Sequence, residues 1–231
     1  MAQRPNVAVG SSESLGAGCG QGPNLDREAC LWDQGYARVA GVDEAGRGAW
    51  AGPVVAAAVV LPACQSDLAE ALRPVRDSKT LTARQRDRCY DLVCARAVSF
   101  GVGGVSAAGI DRLGIVPATR LAMSRAIAAL GDPPDYLLID AVPLPSLGIP
   151  HDAFFKGDRD CLSIAAASII AKVTRDRWMI ALGERMPGYG MARHKGYGTR
   201  QHKGALSILG PTHQHRYSYA PVRTIARERH V

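Results

Sequence analysis

The sequence lacks what would place it in a membrane or in a disulfide-bonded scaffold. No stretch approaches the ~18 consecutive apolar residues that a spanning helix needs, and the longest such run, Val54 to Leu61, is strand-sized. The opening Met1-Ala2-Gln3-Arg4-Pro5 has no apolar segment of the secretory type. The cysteines (Cys19, Cys30, Cys64, Cys89, Cys94 and Cys161) form no C-x-x-C pair and no zinc-type spacing with the histidines, and reduced thiols in a cytoplasmic protein are expected. Acidic residues are scarce in the last quarter: residues 172–231 hold 12 Lys or Arg against 3 Asp or Glu, net +9, whereas residues 1–171 are net −2. The overall +7 is therefore a basic C-terminal segment on a slightly acidic body. Such a segment suits a solvated surface or a face that docks on phosphates.

What is present, in 231 residues of which 47% are hydrophobic, is enough chain for one domain with an appendage. Residues 1–35 are rich in Gly, Ser, Gln and Pro and read as a flexible tail, with a short helix near Leu25 to Gln34. A strand is expected over Ala37 to Asp43, ending in a turn that begins at Glu44 and runs through Gly48. A β-branched strand follows over Pro53 to Leu61, and a third over Ala97 to Val105 despite Gly101, Gly103 and Gly104. Three successive strands suggest an antiparallel meander. Thr80 or Thr82 is placed to cap a helix reaching Arg96, and Pro117 to Leu130 carries helical spacing up to the breaker Gly131-Asp132-Pro133-Pro134. Tyr136 to Asp140 is a short strand, and Leu162 to Glu184 a long Ala-rich helix ahead of the Gly- and Lys/Arg-rich Pro187 to His215.

Carboxylates end two of these strands: Asp43 with Glu44, and Asp140. A fourth, Asp176, lies on the long helix in a polar stripe with Ser168 and Lys172 at i, i+4 and i+8. Adjacent strand residues point to opposite faces, so Asp43 and Glu44 serve one site only if the turn at Glu44 swings its side chain round. Clustered carboxylates repel one another and call for cations; hard oxygen donors suit Mg²⁺ or Mn²⁺. Any one strand-end Asp is most simply a turn cap. The company of Gly46-Arg47-Gly48, with glycines that admit a phosphate and an Arg that can fork onto it, favours the chemical reading. The His213-x-His215 pair has no companion ligands and reads as structural or solvated.

Six blocks, in order, resemble the ribonuclease HII family, the type 2 ribonucleases H. They are Gly41-Val42-Asp43-Glu44-Ala45-Gly46-Arg47-Gly48 with Ala51-Gly52-Pro53-Val54-Val55-Ala56-Ala57; Asp77-Ser78-Lys79 with Leu81; Leu138-Ile139-Asp140; Lys156-Gly157-Asp158 with Ser163 to Arg177; His194-Lys195-Gly196-Tyr197-Gly198-Thr199; and Gly210-Pro211-Thr212 with His215-Arg216. The resemblance spans roughly residues 36 to 225. It departs from the family at Ala49 and Trp50, where Pro and a small or aliphatic residue are commoner, and at Cys161, where Ser is usual and would start the long helix better.

The resemblance implies an α/β, RNase H-like fold: a mixed five-stranded central sheet flanked by helices, with a small helical C-terminal extension. It divides the chain into the tail, 1–35, a catalytic domain, 36–185, and a basic substrate-binding extension, 186–231. It implies an endoribonuclease that hydrolyses the RNA strand of RNA/DNA hybrids and cuts 5′ of single ribonucleotides in duplex DNA, leaving 3′-hydroxyl and 5′-phosphate ends. Asp43, Glu44, Asp140 and Asp176 are the implied catalytic and metal-binding residues of a two-ion Mg²⁺ or Mn²⁺ site. Gly46, Arg47, Gly48 and Tyr197 are implied to read the junction between a ribonucleotide and the following deoxyribonucleotide. Lys79, Ser168 and Lys172 are candidate phosphate contacts, and Arg193, Lys195, Arg200 and Lys203 flank Tyr197 to grip the duplex. A monomer is the default state, and a sliding clamp is a candidate partner to which no residue is assigned. The rival readings are a type 1-like ribonuclease H needing several consecutive ribonucleotides, and a non-catalytic hybrid-binding module.

Overall fold

A computed structural model describes residues 22–63 and 65–228; Cys19, Cys64 and the tail up to residue 21 lie outside the described residues. Strands β1 (Val39–Ala45), β2 (Val54–Val60), β3 (Ser99–Val105), β4 (Tyr136–Asp140) and β5 (His151–Phe154) form one sheet in the order β3-β2-β1-β4-β5. The first three strands are the expected antiparallel meander, and β4 and β5 run parallel to β1, so the sheet is mixed. Helices α1 (Asp26–Asp33), α2 (Leu68–Ala71), α3 (Ala83–Arg96), α4 (Ala107–Leu113) and α5 (Ile115–Ala128) come from the first part of the chain. They are followed by α6 (Gly157–Asp160), α7 (Leu162–Arg185), α8 (Met191–His194), α9 (Arg200–Leu209) and α10 (Ala220–Glu228).

The two faces of the sheet carry one long helix each. α5 covers one face, where Ala118, Ala122 and Ala126 meet Val42, Ala56 and Ala58. α7 covers the other, with Ala166, Ile169 and Ile170 against Ala57 and Val59. Every residue of β2 is buried, which explains its continuous apolar run without alternation. The glycines that weakened the third strand on paper are what lets α5 come close: a β-carbon on Gly101 or Gly103 would lie 2.2 Å from the carbonyl oxygens of Ala126 or Ala122.

Local chemistry sets the helix starts. Thr82, not Thr80, is the N-cap of α3, in a capping box with Gln85. The Cys161 side chain does not cap α7. The carboxylate of Glu28, from α1, accepts instead from the Ser163 N–H at 2.8 Å. α1, the short helix expected near Leu25, lies in the stretch assigned by composition to the tail, and it docks through buried Leu31 against Val39, Leu138, Cys161 and Ile164. The extension of α8 to α10 has a small core of its own, where Met191, Leu206, Val222 and Ile225 meet Ala51 and Met179 of the body. No helix among the described residues is long and apolar enough to cross a membrane, and the described cysteines, Cys30, Cys89, Cys94 and Cys161, are free thiols.

Candidate active site

The strand carrying the first carboxylates runs two residues further than its sequence suggests. Antiparallel pairing continues through Glu44 with Ala56 and Ala45 with Val55, and the turn begins only at Gly46, whose φ is +93°. The expectation of a turn starting at Glu44 is corrected: backbone pairing with β2 holds Glu44 in the strand, so the Asp43 and Glu44 side chains leave opposite faces. Asp43 shares its side with Gly41 and Ala45, toward α7, and Glu44 shares the side of Val42, toward α5. They nonetheless act on one another and on Asp140, which ends the neighbouring parallel strand β4.

Burial, and then the like charges of Glu44, Asp140 and Asp158, push the Asp43 carboxyl well above the usual carboxylate range. Its Oδ1 accepts the Glu44 N–H at 2.6 Å. Burial also pushes Glu44 up, against the opposing pull of Arg47, whose Nη1 lies 3.2 Å from Oε1. Asp140 Oδ1 accepts the Gly157 N–H at 2.9 Å, and the next residue, Ala141, is in the left-handed region at φ 60°. A non-glycine residue held there beside a strand-end carboxylate is a strained position of the kind that clusters at functional sites.

Cations close around this group. Lys79, in the turn Ser78–Thr80, lies 3.3 Å from Asp158 and 3.9 Å from Asp77. Its ammonium is pushed down by burial but further up by Asp158, Asp43 and Asp77, for a net rise. Asp158 and Asp77 were assigned no role from sequence; the Lys-Gly-Asp motif at 156–158 was the available signal. Ser168 is buried, with its hydroxyl 2.9 Å from that of Ser78. One and two turns further along α7, Lys172 donates to Asp176 at 2.8 Å, and Arg86 lies 3.8 Å from the same carboxylate. The structure thus puts Asp43, Glu44 and Asp140 within reach of one another's charge, and gives Asp176 cationic partners of its own.

Tyr197 is half-buried above α7, its ring centroid 5.5 Å from Lys172 Nζ and 5.2 Å from the Arg175 guanidinium. Arg175 and Arg216, both fully buried, are the residues that sequence reasoning passed over. Arg175 donates to the carbonyls of Pro53, Lys195 and Ala51, and Arg216 to those of Gly52 and Arg47. The Arg47 carbonyl also accepts from the Tyr219 hydroxyl. Two guanidiniums bonded to carbonyls tie the Gly46-Arg47-Gly48 turn to the extension. Arg193, Arg200 and Lys203 are exposed, as a phosphate-facing surface requires; Lys195 is half-buried and its ammonium donates to the Ala192 carbonyl. His213 is exposed and His215 buried, so they do not share a face.

Among the described residues no three His, Cys, Asp or Glu side chains are gathered as a ready-made metal centre. The donors still fit a hard divalent cation. Asp43, Glu44 and Asp140 are oxygen donors whose mutual repulsion a cation relieves, and the buried Glu44 Oε2 has no hydrogen-bond partner among the described residues.

A family model described as Ribonuclease HII matches residues 40–222. Ribonuclease HII of Chloroflexus aurantiacus is 53% identical over 200 residues, covering 87% of this chain and 94% of its own. The solved ribonuclease H2 of Pyrococcus horikoshii OT3 superposes with a TM-score of 0.69 at 27% identity, over 83% of this chain and 98% of that one. The RNase HII of Archaeoglobus fulgidus, solved in complex with PCNA, superposes with a TM-score of 0.67 at 25% identity, over 79% and 95%. With its mixed sheet, its strand-end carboxylates and these likenesses along most of its length, the chain belongs to the ribonuclease HII family.

Proposed function

We propose that this member of the ribonuclease HII family, a metal-dependent endonuclease, hydrolyses the RNA strand of RNA/DNA hybrids and incises duplex DNA on the 5′ side of a single embedded ribonucleotide. The products carry 3′-hydroxyl and 5′-phosphate ends, and the cellular use is ribonucleotide removal during replication and repair in the cytoplasm. The observation that carries this reading is the grouping of Asp43, Glu44 and Asp140 beside a Gly46-Arg47-Gly48 turn that Arg175 and Arg216 tie to the segment bearing Tyr197. On this reading the cutting centre and the junction reader share one frame.

Asp43, Glu44 and Asp140, with Asp176 from α7, are the residues that would hold divalent ions, Mg²⁺ or Mn²⁺. Bound there, such ions supply the charge that activates water and stabilises a leaving oxygen in an in-line displacement. The chain's own groups do the rest. Gly48 leaves open space on its Cβ side, where a ribose can approach the backbone and its 2′-hydroxyl can be told from hydrogen. Arg47 exchanges Glu44 for a phosphate. Tyr197 stacks on the following sugar, which lacks the hydroxyl. Lys79 faces the backbone near the cut, Lys172 the phosphate beyond it, and Ser168 supports the Ser78-Lys79 turn from below. The exposed Arg193, Arg200 and Lys203 grip the duplex.

In this reading residues 36–185 are the catalytic domain and 186–231 the substrate-binding extension, acting as a monomer. A sliding clamp is a further candidate partner, a reading supported by the Archaeoglobus fulgidus protein having been solved in complex with PCNA. A non-catalytic hybrid-binding module would not need the acidic residues, and this chain keeps all four candidates. Asp43→Asn tests the reading: cleavage of a hybrid should vanish while binding persists, and retained turnover would refute the role given to the carboxylates.

A further inference from the structure

Three histidine rings meet beneath the Tyr197 turn. His194 and His202 stack with centroids 4.4 Å apart, and His202 and His215 follow at 5.3 Å. They come from α8, α9 and the turn before Arg216, and all three are buried.

The surrounding backbone settles where each ring carries its proton. Gly196 N–H donates to His194 Nδ1 at 3.1 Å, so the proton of His194 is on Nε2, which donates to the Tyr189 carbonyl at 2.7 Å. Thr212 N–H donates to His215 Nδ1 at 3.0 Å, which puts the His215 proton on Nε2. That atom is 3.2 Å from His202 Nε2, and two nitrogens bond only if one is bare, so His202 is protonated on Nδ1. His202 Nδ1 is 3.0 Å from the Tyr197 carbonyl oxygen, which can only accept. The bonds therefore run one way: Thr212 N–H to His215, His215 to His202, His202 to the Tyr197 carbonyl. Burial keeps both rings neutral, pushing His202 and His215 down to about 4.

The fixed end of this chain is the peptide of a residue whose ring is half exposed. Trp50, one of this chain's departures from the family pattern, seals the other side, its ring 5.6 Å from His202 and filling the space above Gly198, where a β-carbon would lie 2.2 Å from Trp50 Cε2. We infer that His202, oriented by His215, is a positioning residue that fixes the Tyr197 peptide and so presents the Tyr197 ring to the sugar following the ribonucleotide. The inference rests on the junction-reading role proposed for Tyr197.

The test is steady-state cleavage of a duplex with one ribonucleotide by His202→Leu, His202→Asn, Tyr197→Ala and the double variant Tyr197→Ala/His202→Leu, with folding checked by thermal melting. His202→Leu should lower kcat/KM about tenfold through misplacement of the tyrosine. His202→Asn, which keeps a donor at the Nδ1 position, should recover most of it. In the Tyr197→Ala background His202→Leu should have less than about a twofold effect, since there is no ring left to position. Equal losses in both backgrounds, or no loss in either, would overturn the relay. Should Tyr197→Ala itself leave kcat/KM unchanged, the reading of Tyr197 fails instead, a separately visible result that removes the relay's purpose. If His202→Leu does not fold, the ¹⁵N spectrum of the wild-type protein decides: His202 must appear as the Nδ1–H tautomer with His215 as Nε2–H, and an Nε2–H His202 refutes the relay.

Discussion

The Arg175 side chain fills the space that a β-carbon on Gly46 would need: built ideally, that atom would lie 1.9 Å from Arg175 Nε. Gly46 also holds φ at +93°. Two residues along the same turn, no described residue beyond its chain neighbours comes within 4 Å of such a carbon on Gly48, and its φ is not positive. One glycine is demanded by the protein's own packing. The other leaves room that no described residue fills.

Substitution should separate the two. Gly46→Ala is expected to cost about 2 kcal/mol or more in unfolding free energy, from the strained φ and the displaced guanidinium. Gly48→Ala should stay within about 0.5 kcal/mol of the parent protein, yet lose about tenfold in cleavage because its methyl occupies the ribose's approach. Urea unfolding and cleavage rates on the two variants check this. A stable, fully active Gly48→Ala would show that the open space has no ligand.

Asp43→Asn should improve stability while removing activity. The buried carboxyl is opposed by Glu44, Asp140 and Asp158, and Asn keeps an oxygen to accept the Glu44 N–H. Without divalent ions the variant should gain about 1 kcal/mol and lose cleavage at least about a thousandfold with them. A drop in melting temperature would contradict the electrostatic account.

Stability against pH should carry the mark of the buried histidines. Unfolded, His202 and His215 titrate near 6.5; folded, burial holds both down to about 4. Between these values the unfolded chain binds protons that the folded rings refuse, so their contribution is complete above pH 6.5 and is lost as pH falls toward 4. The raised carboxylates Asp43, Glu44, Asp158 and Glu28 act with the opposite sign. They are common to wild type and His202→Asn, so the difference in unfolding free energy between the two, followed from pH 7.5 to 4.5, isolates the imidazole. It should shift in favour of the variant on acidification, and a constant difference would contradict the assignment.

Glu28 tests whether the start of the described chain belongs to the fold. Glu28→Ala leaves the Ser163 N–H at the head of α7 without its acceptor and should cost about 1–2 kcal/mol. Glu28→Gln, which retains an acceptor, should recover most of that, and equal melting temperatures for both would deny the capping role.

How much was legible in the sequence follows from how local each determinant is. β2, α5 and α7 announce themselves by apolar runs and helical spacing, and the strand-end carboxylates sit inside contiguous motifs. β5 has no local signal in the sequence, because its four residues, His151–Phe154, make an edge strand with no buried apolar alternation. The end of β1 was misplaced because Glu44 and Ala45 are weak strand formers held by pairing with β2, a tertiary cause. Glu28 caps a helix 135 residues away, and Arg175 and Arg216 stand inside the family motifs but gain a role only when the fold surrounds them with carbonyls. The histidine relay is invisible for the same reason: three elements must pack before its rings touch.

The most direct measurement is cleavage of a DNA duplex carrying one ribonucleotide, with Mg²⁺ or Mn²⁺ titrated in and the product ends mapped. The account predicts one cut on the 5′ side of the ribonucleotide, with 3′-hydroxyl and 5′-phosphate ends and no cut without metal. Cleavage confined to hybrids with several consecutive ribonucleotides, or a cut on the 3′ side, would contradict it.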